Sequence, residues 1–217
     1  MKIIRDLSKG ILFITIPFIL VIINANILTT TPYLNLSKGI YDSHDDIYYN
    51  HDYAIERIIG YLNYRYDDLY FGIDAEDDNV IMRDIEIRHM VDVKNVYTGL
   101  RLAALGSFIL MTGSLMFLYK NKKNEIINTL DKMWIGPLFF ILFVGGYIVI
   151  DFDTAFTVFH KLFFTNNDWI LRSDDVLILL LPTTFWMVSG IIILIGLILE
   201  LFGIYWLNNK FLKKRLQ

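Results

Sequence analysis

The stretch Ile11-Leu12-Phe13-Ile14-Thr15-Ile16-Pro17-Phe18-Ile19-Leu20-Val21-Ile22-Ile23-Asn24-Ala25-Asn26-Ile27-Leu28 holds no charged residue. A helix needs roughly 17–25 mostly apolar residues to cross about 30 Å of hydrocarbon, so this block reads as a membrane span with Pro17 near its start. Three more blocks follow: Leu102–Tyr119, Trp134–Ile150 with Pro137 in its first turn, and Val176–Leu207. Pro182 interrupts the last one. Val176–Leu181 therefore reads as a separate interfacial turn and Phe185–Leu207 as the span proper. None of the blocks alternates every second residue as a barrel strand would. The fold class read here is all-α membrane protein with four transmembrane helices.

The composition agrees. Of 217 residues, 55% are hydrophobic and 20% charged, so the apolar residues must be segregated into blocks. That excludes a disordered chain, a nucleic-acid binder and a large soluble enzyme. There is no Cys, hence no disulfide, no thiolate nucleophile and no Cys-ligated metal. The basic start Met1–Gly10 resembles a secretory signal, but the apolar run is long and Asn24-Ala25-Asn26 is a poor cleavage site; the segment reads as an uncleaved anchor.

Charge sets the orientation. Met1–Gly10, Lys120–Lys132 and Asn208–Gln217 together carry 11 basic and 3 acidic residues, whereas the other two connections carry 9 basic and 19 acidic. The excess of Lys and Arg marks the cytoplasmic side. Both termini and the 120–133 loop are expected inside, and the segments 29–101 and 151–175 outside. The chain thus divides into 1–28 (cytoplasmic start and first span), 29–101 (an extracellular cap) and 102–217 (spans two to four with their loops). The cap is expected to be mainly helical and packed on the bundle, with helices over Asp52–Tyr66 and Asp84–Tyr97 and a loop at Asp74–Asn79.

All four histidines fall in the outer segments. His44 and His51 sit among Asp42, Asp45, Asp46 and Asp52 and read as residues of a solvated acidic loop, with a weak divalent-ion site as the minor alternative. His89 lies in Glu86-Ile87-Arg88-His89-Met90-Val91-Asp92-Val93-Lys94. On a helix, Glu86, His89 and Asp92 share one face, so either carboxylate is placed to orient His89 and to favour it slightly as the charged partner. His160 lies in Phe159-His160-Lys161-Leu162-Phe163-Phe164-Thr165-Asn166-Asn167-Asp168-Trp169. Both histidines stand where a helix meets the outer membrane surface, so the fold can bring them together. Two imidazoles with an ordinary pKa of about 6.5 suit general acid-base work. Simple interfacial anchoring is the plainer alternative, and zinc held by His89, Asp92 and His160 a weaker one, since the spacing fits no zincin pattern. The aromatic residues around His160 suit either an interfacial belt or the wall of a lipid pocket. Gly99, Ala103 and Ser107, four apart, favour close helix packing. Glu200, an acid within the last span, is expected to reach toward Lys210 and is left outside the site.

These motifs carry a resemblance. Glu86-Ile87-Arg88-His89-Met90-Val91-Asp92-Val93-Lys94 resembles the E-x-x-H-M-x-D-V-K signature of the lipoprotein intramolecular transacylase family of bacterial four-span membrane proteins. Phe159-His160 with Phe163, Phe164, Asn167 and Trp169 resembles its second signature, and Asp175-Val176-Leu177 with Leu181-Pro182 and Phe185-Trp186 its third. Order, spacing and span count agree over essentially the whole chain; the acidic segment Tyr41–Asn79 matches only loosely.

The resemblance implies an enzyme of the bacterial cell membrane with its site at the outer surface. Its partner would be a diacylated lipoprotein amid membrane lipids, not a nucleic acid. The sn-2 acyl chain of the diacylglyceryl-cysteine would move to the α-amino group of the same cysteine, giving a lyso-form N-acyl lipoprotein. The family's catalytic pair corresponds to His89 and His160. Glu86, Asp92, Asn167 and Trp169 would support it, and Phe159, Phe163, Phe164, Phe185 and Trp186 would line the pocket. No metal is implied. The chemistry fits: an ester-to-amide shift within one substrate needs no acyl donor or cofactor, and it passes through an eight-membered ring that closes poorly without orientation. The α-amino group, with a pKa of about 7.7–8.0, needs a base to attack as a neutral amine. The competing readings are an outer-leaflet lipid or lipoprotein hydrolase, with or without a metal, and a non-enzymatic membrane scaffold.

Overall fold

A computed structural model of the chain describes residues 1–37 and 48–213. His44, with Asp42, Asp45 and Asp46, lies outside the described residues. Among the described residues every regular element is helical: α1 Lys2–Leu28, α2 Thr31–Ser37, α3 His51–Leu62, α4 Asp84–Asn121, α5 Lys123–Lys132, α6 Ile135–Ile150, α7 Phe152–Phe163, α8 Val176–Leu180 and α9 Thr183–Leu207, then a π-helical turn over Asn208–Leu212. Four segments are long and apolar enough to cross a membrane: Lys2–Leu28, Asp84–Asn121, Lys123–Ile150 and Thr183–Phe211. They contain the four expected spans. Pro182 separates α8 from α9 as expected, because it cannot donate a backbone hydrogen bond and keeps Leu181 out of the helical region (φ -130, ψ 71).

The chain divides into two compact units, Met1–Ala25, Leu100–Ile150 and Gly190–Gln217 in one, and Asn26–Gly99 and Asp151–Ser189 in the other. In the first, Met133, Leu197 and Leu201 are buried against Ile16, Leu20, Val21, Leu130 and Ile141. A polar contact links two of its membrane-spanning helices. Asn24 Nδ2 donates to Leu20 O and to Glu200 Oε2, both at 2.9 Å. Gly196 makes that pair possible, since a Cβ there would lie 2.5 Å from Asn24 Oδ1. Glu200 therefore meets an amide of α1 rather than Lys210, whose ammonium lies over the Trp206 and Phe211 rings. A short neutral partner within reach satisfies the carboxylate without the long extension that the expected ion pair would require.

The small-residue stripe also departs from expectation. Gly99 has nothing within 4 Å of where a Cβ would lie, and Ala103 is exposed. Gly99 and Ala103 thus face outward, while Ser107 is half-buried.

The second unit has the larger core. Ala54, Ile55, Ile58, Ile59, Tyr61 and Leu62 of α3 pack with Leu34, Leu69, Phe71, Met82, Met90, Val176, Leu177, Leu180 and Phe185. Helix α3 starts where Asn50 accepts a hydrogen bond from Tyr53 N. It ends at Leu62, four residues before the expected limit, because Tyr64 takes a left-handed φ of 59° and Tyr66 folds back on Gly60. A Cβ at Gly60 would meet the Tyr66 ring at 2.3 Å. His51 is the first residue of α3, and its side chain is only 10% exposed. It does not belong to a solvated loop.

Candidate active site

The site begins with the polar first half of α4. Residues Asp84 to Arg101 carry six charged side chains, and the apolar stretch Leu102–Tyr119 follows them. Glu86 starts the helix: its Oε2 accepts from Arg83 N at 2.8 Å, the return half of a capping box. Its Oε1 accepts from Leu177 N at 2.9 Å, one of the free N–H groups in the first turn of α8. Beside it, Asp175 takes both the Nε and Nη2 of Arg83 and accepts from Arg172 N. Glu86 is fully buried and Asp175 nearly so. Burial pushes the Glu86 carboxyl above the usual carboxylate range, against the pull of its two N–H donors. Burial would do the same to Asp175, but the Arg83 guanidinium and the Arg172 N–H outweigh it and hold that carboxyl low. The expectation that Glu86 orients His89 is thus corrected. Its two oxygens are committed to main-chain donors, and it joins the start of α4 to α8.

One helical turn on, Arg88 and Asp92 flank His89. Arg88 Nε donates to Asp168 Oδ2 at 2.9 Å, and Asn166 Nδ2 donates to Asp92 Oδ2 at 2.7 Å. Asp168 N closes a turn on Asn166 Oδ1, and Trp169 Nε1 donates to Asn166 O. Asp92 therefore grips the 164–169 segment, not the imidazole. Asn167, expected to support the site, is exposed, and among the described residues only its carbonyl is engaged, accepting from Ile170 N. Its neighbour Asn166 does the bridging.

This segment covers the histidines. The His89 and His160 ring centroids are 5.9 Å apart with the planes 34° from parallel. Trp169 lies 4.9 Å from His160, Phe164 5.2 Å from His89 and 5.6 Å from His160, and Phe156 only 4.0 Å from His160. Phe159 turns its edge toward His160 and also meets Phe163, and it is 53% exposed. Phe185 is buried in the core against Tyr33, and the Trp186 indole donates to Leu181 O. Neither is among the ring contacts of the histidines; both support α8 and α9.

His89 is 8% exposed and His160 7%. His160 Nδ1 lies 2.7 Å from Phe156 O. A carbonyl can only accept, so Nδ1 carries the proton in the neutral ring and Nε2 presents a lone pair. His89 Nδ1 is buried without a hydrogen-bond partner among the described residues. An unmet buried N–H costs more than an unmet lone pair, which favours the tautomer with the proton on Nε2. Burial, and then the neighbouring His160, push the His89 pKa down to about 4; the nearby acids Asp92 and Asp168 oppose this only weakly. Burial also lowers His160, against the bond to Phe156 O. Burial thus disfavours the charged form of both rings, against the pull of the acids beside His89 that the sequence suggested.

Residues 8–186 match the family described as lipoprotein intramolecular transacylase Lit. The chain belongs to this family. The matched Lit region holds both histidines, α8 and the first residues of α9, and membership makes the chain an acyltransferase. Among solved structures, the chain is similar to the membrane integral lipoprotein intramolecular transacylase Lit from Bacillus cereus, at 20% identity and TM-score 0.77 over 99% of both chains. Two variants of that protein, with one histidine changed to arginine or to alanine, align at 21% identity and TM-score 0.68 over 97% of this chain. They cover 93% and 94% of their own chains. These structures establish the Lit fold for a multi-pass membrane protein. No curated protein matches the chain.

Proposed function

We propose that this transacylase moves the sn-2 acyl chain of a diacylglyceryl-cysteine lipoprotein to the α-amino group of that same cysteine, using His160 as the proton carrier and His89 as the oxyanion donor. One observation carries the reading. Two buried imidazoles face each other under an aromatic cover, and one has its Nδ1 locked to a main-chain carbonyl.

The steps balance without a second substrate. The amine nitrogen attacks the ester carbonyl carbon and closes the eight-membered ring. His160 Nε2 takes the amine proton as the N–C bond forms. Negative charge gathers on the carbonyl oxygen, where the neutral His89 Nε2–H donates a hydrogen bond in a site shielded from water. The carbon–oxygen bond to glycerol then breaks, and the imidazolium of His160 returns the proton to the glycerol oxygen. Net, one proton passes from nitrogen to oxygen and an ester becomes an amide. A neutral His89 suits this role, because a second cation beside a protonated His160 would repel it. Phe164 and Trp169 limit the shapes the substrate can take, and orientation of this kind can supply up to about 7–11 kcal/mol.

The lysine and arginine bias supports cytoplasmic termini, with the histidines on the outer side of the bacterial cell membrane and residues 29–101 as a cap. A single cysteine at Asp78 should then react with a membrane-impermeant thiol reagent on intact cells, and one at Lys122 should not. For the reaction, mass spectrometry of a lipoprotein's N-terminal peptide should find the acyl mass shifted from glycerol to nitrogen only when the protein is present. In a mixture of two peptides with differently labelled chains, no chain should cross between them. Free fatty acid in place of the N-acyl peptide would instead mean a hydrolase, and loss on EDTA with recovery on Zn²⁺ a metal-assisted one.

A further inference from the structure

Helix α7 has three faces, and the bond to Phe156 explains only one. Residues advance about 100° each around a helix. On that wheel Asp153, Thr154, Thr157 and Lys161 form a polar side, while Phe156 and His160 point into the protein. Val158, Phe159 and Leu162 form a third side, and they are 52%, 53% and 76% exposed, against 7% for His160. Asp153, Thr154 and Lys161 are exposed as well. The two exposed faces thus differ in chemistry, one apolar and one polar or charged.

Position along the chain says what covers the apolar face. Helix α7 begins two residues after Ile150, where the membrane-spanning segment Lys123–Ile150 ends. Asp151 breaks the helix with φ -150 and ψ 82 and caps the next one through Thr154 N. The chain therefore leaves the hydrocarbon and at once forms a short amphipathic helix. A helix with an apolar side, a polar side and a start at the hydrocarbon boundary lies in the interface plane, its apolar side some 5–10 Å into the headgroup and acyl boundary. We propose that α7 is such an in-plane helix, with Val158, Phe159 and Leu162 sunk among the acyl chains of the bilayer and Thr154 and Lys161 turned to headgroups and water. His160 stands between Phe159 and Lys161 on the same turn, so this insertion fixes its depth. A diacylglyceryl ester sits at that same boundary, with its chains below and its peptide above. The insertion stands on α7 alone; its meaning for catalysis rests on the transacylation proposed above.

The chain has no native cysteine, so single cysteines carrying a nitroxide can be placed at Thr154, Val158, Lys161 and Leu162 without other changes. In vesicles of phosphatidylglycerol and phosphatidylethanolamine, labels at Val158 and Leu162 should collide with dissolved oxygen and be shielded from the water-soluble nickel chelate Ni-EDDA. Labels at Thr154 and Lys161 should do the reverse. In the unlabelled protein, Leu162→Asp should lower N-acyl transfer roughly tenfold or more in those vesicles and less in detergent micelles holding the same substrate. A Leu162 label as open to Ni-EDDA as Thr154 would overturn the proposal. So would shielding from both reagents with spin–spin broadening, which would mean that a second copy covers the face. The expected collision pattern together with no N-acyl product from the wild-type protein would leave the insertion standing and overturn the transacylation reading.

Discussion

The first turns of α4 hold two neighbouring regions by opposite means. Toward α8 the links are buried: Glu86 and Asp175 are 0% and 3% exposed, and they are met by main-chain N–H groups and one guanidinium. Toward residues 164–169 the links lie at the surface, where the Arg88 side chain is 60% exposed against Asp168. Buried ionised or polar groups are costly to leave unmatched, whereas surface ion pairs contribute only about 0–1 kcal/mol. One connection is thus framework. The other holds the aromatic cover over the histidines by bonds that are easily remade, which suits the transfer proposed above, where a lipid-bearing peptide has to reach two nearly buried rings.

The largest effect belongs to what the cover protects. His160→Ala should lower N-acyl transfer by about 10²–10⁴-fold with the protein still folded, as judged by detergent-solubilised melting and product mass. Near-normal transfer would detach the cover from the chemistry and leave the comparison without a functional meaning.

The framework side comes next. Glu86→Ala strands two main-chain N–H groups, each worth roughly 1–3 kcal/mol. Asp175→Ala removes the partner of Arg83, and because the Arg83 side chain is 41% exposed the loss should fall below the roughly 3–5 kcal/mol of a fully buried pair. Both variants should melt well below the wild type yet keep transfer at low temperature. If Glu86→Ala melts no lower than Arg88→Ala, the division into framework and cover is wrong.

Acid should act on the histidines next. Both are held below their ordinary value by burial, so the native protein takes up their protons later than the unfolded chain does. Their contribution to stability is therefore intact above about pH 6.5 and is lost as the pH falls through their folded values. The attacking amine titrates at about 7.7–8.0, so transfer should rise through neutrality with that single group and take a second, steeper fall only on the acid side of pH 6.5, as His160 loses its lone pair. A second ionisation in the profile above pH 6.5, beyond that of the amine, would mean that His160 is not shielded as described. The smallest change is expected from Arg88→Ala or Asp168→Ala: within about 1 kcal/mol in stability, with a few-fold change in transfer, read from paired melting and initial-rate assays.

Much of the framework was legible in the sequence. Long apolar runs, three of them free of charge and the last broken only by Glu200, announce the spans, and the three-residue spacing of Glu86, His89 and Asp92 puts them on one face of α4, where the structure keeps them. What each acid does was not legible, because its partner lies 74 to 91 residues away. Local spacing pairs Glu86 with His89; the fold supplies the first turn of α8, whose free N–H groups are better donors. The same distance hides Asn166, Arg88 and Asp168, and the role of Phe156 shows in the sequence only as its place four residues before His160 in a helix. His51 misled because acidic neighbours suggest water, while Asn50 starts a buried helix there.

The central claim is that His89 and His160 work as one unit, and a double-mutant cycle tests it most directly. N-acyl peptide formation would be followed for the wild type, His89→Ala, His160→Ala and the double variant, each shown to be folded. Removing either ring should cost most of the rate, and the double variant should be little slower than the worse single one, because groups that serve one transition state are not additive. Losses that multiply, so that the double variant falls by the product of the two singles, would contradict a shared step and mean that the two histidines contribute independently.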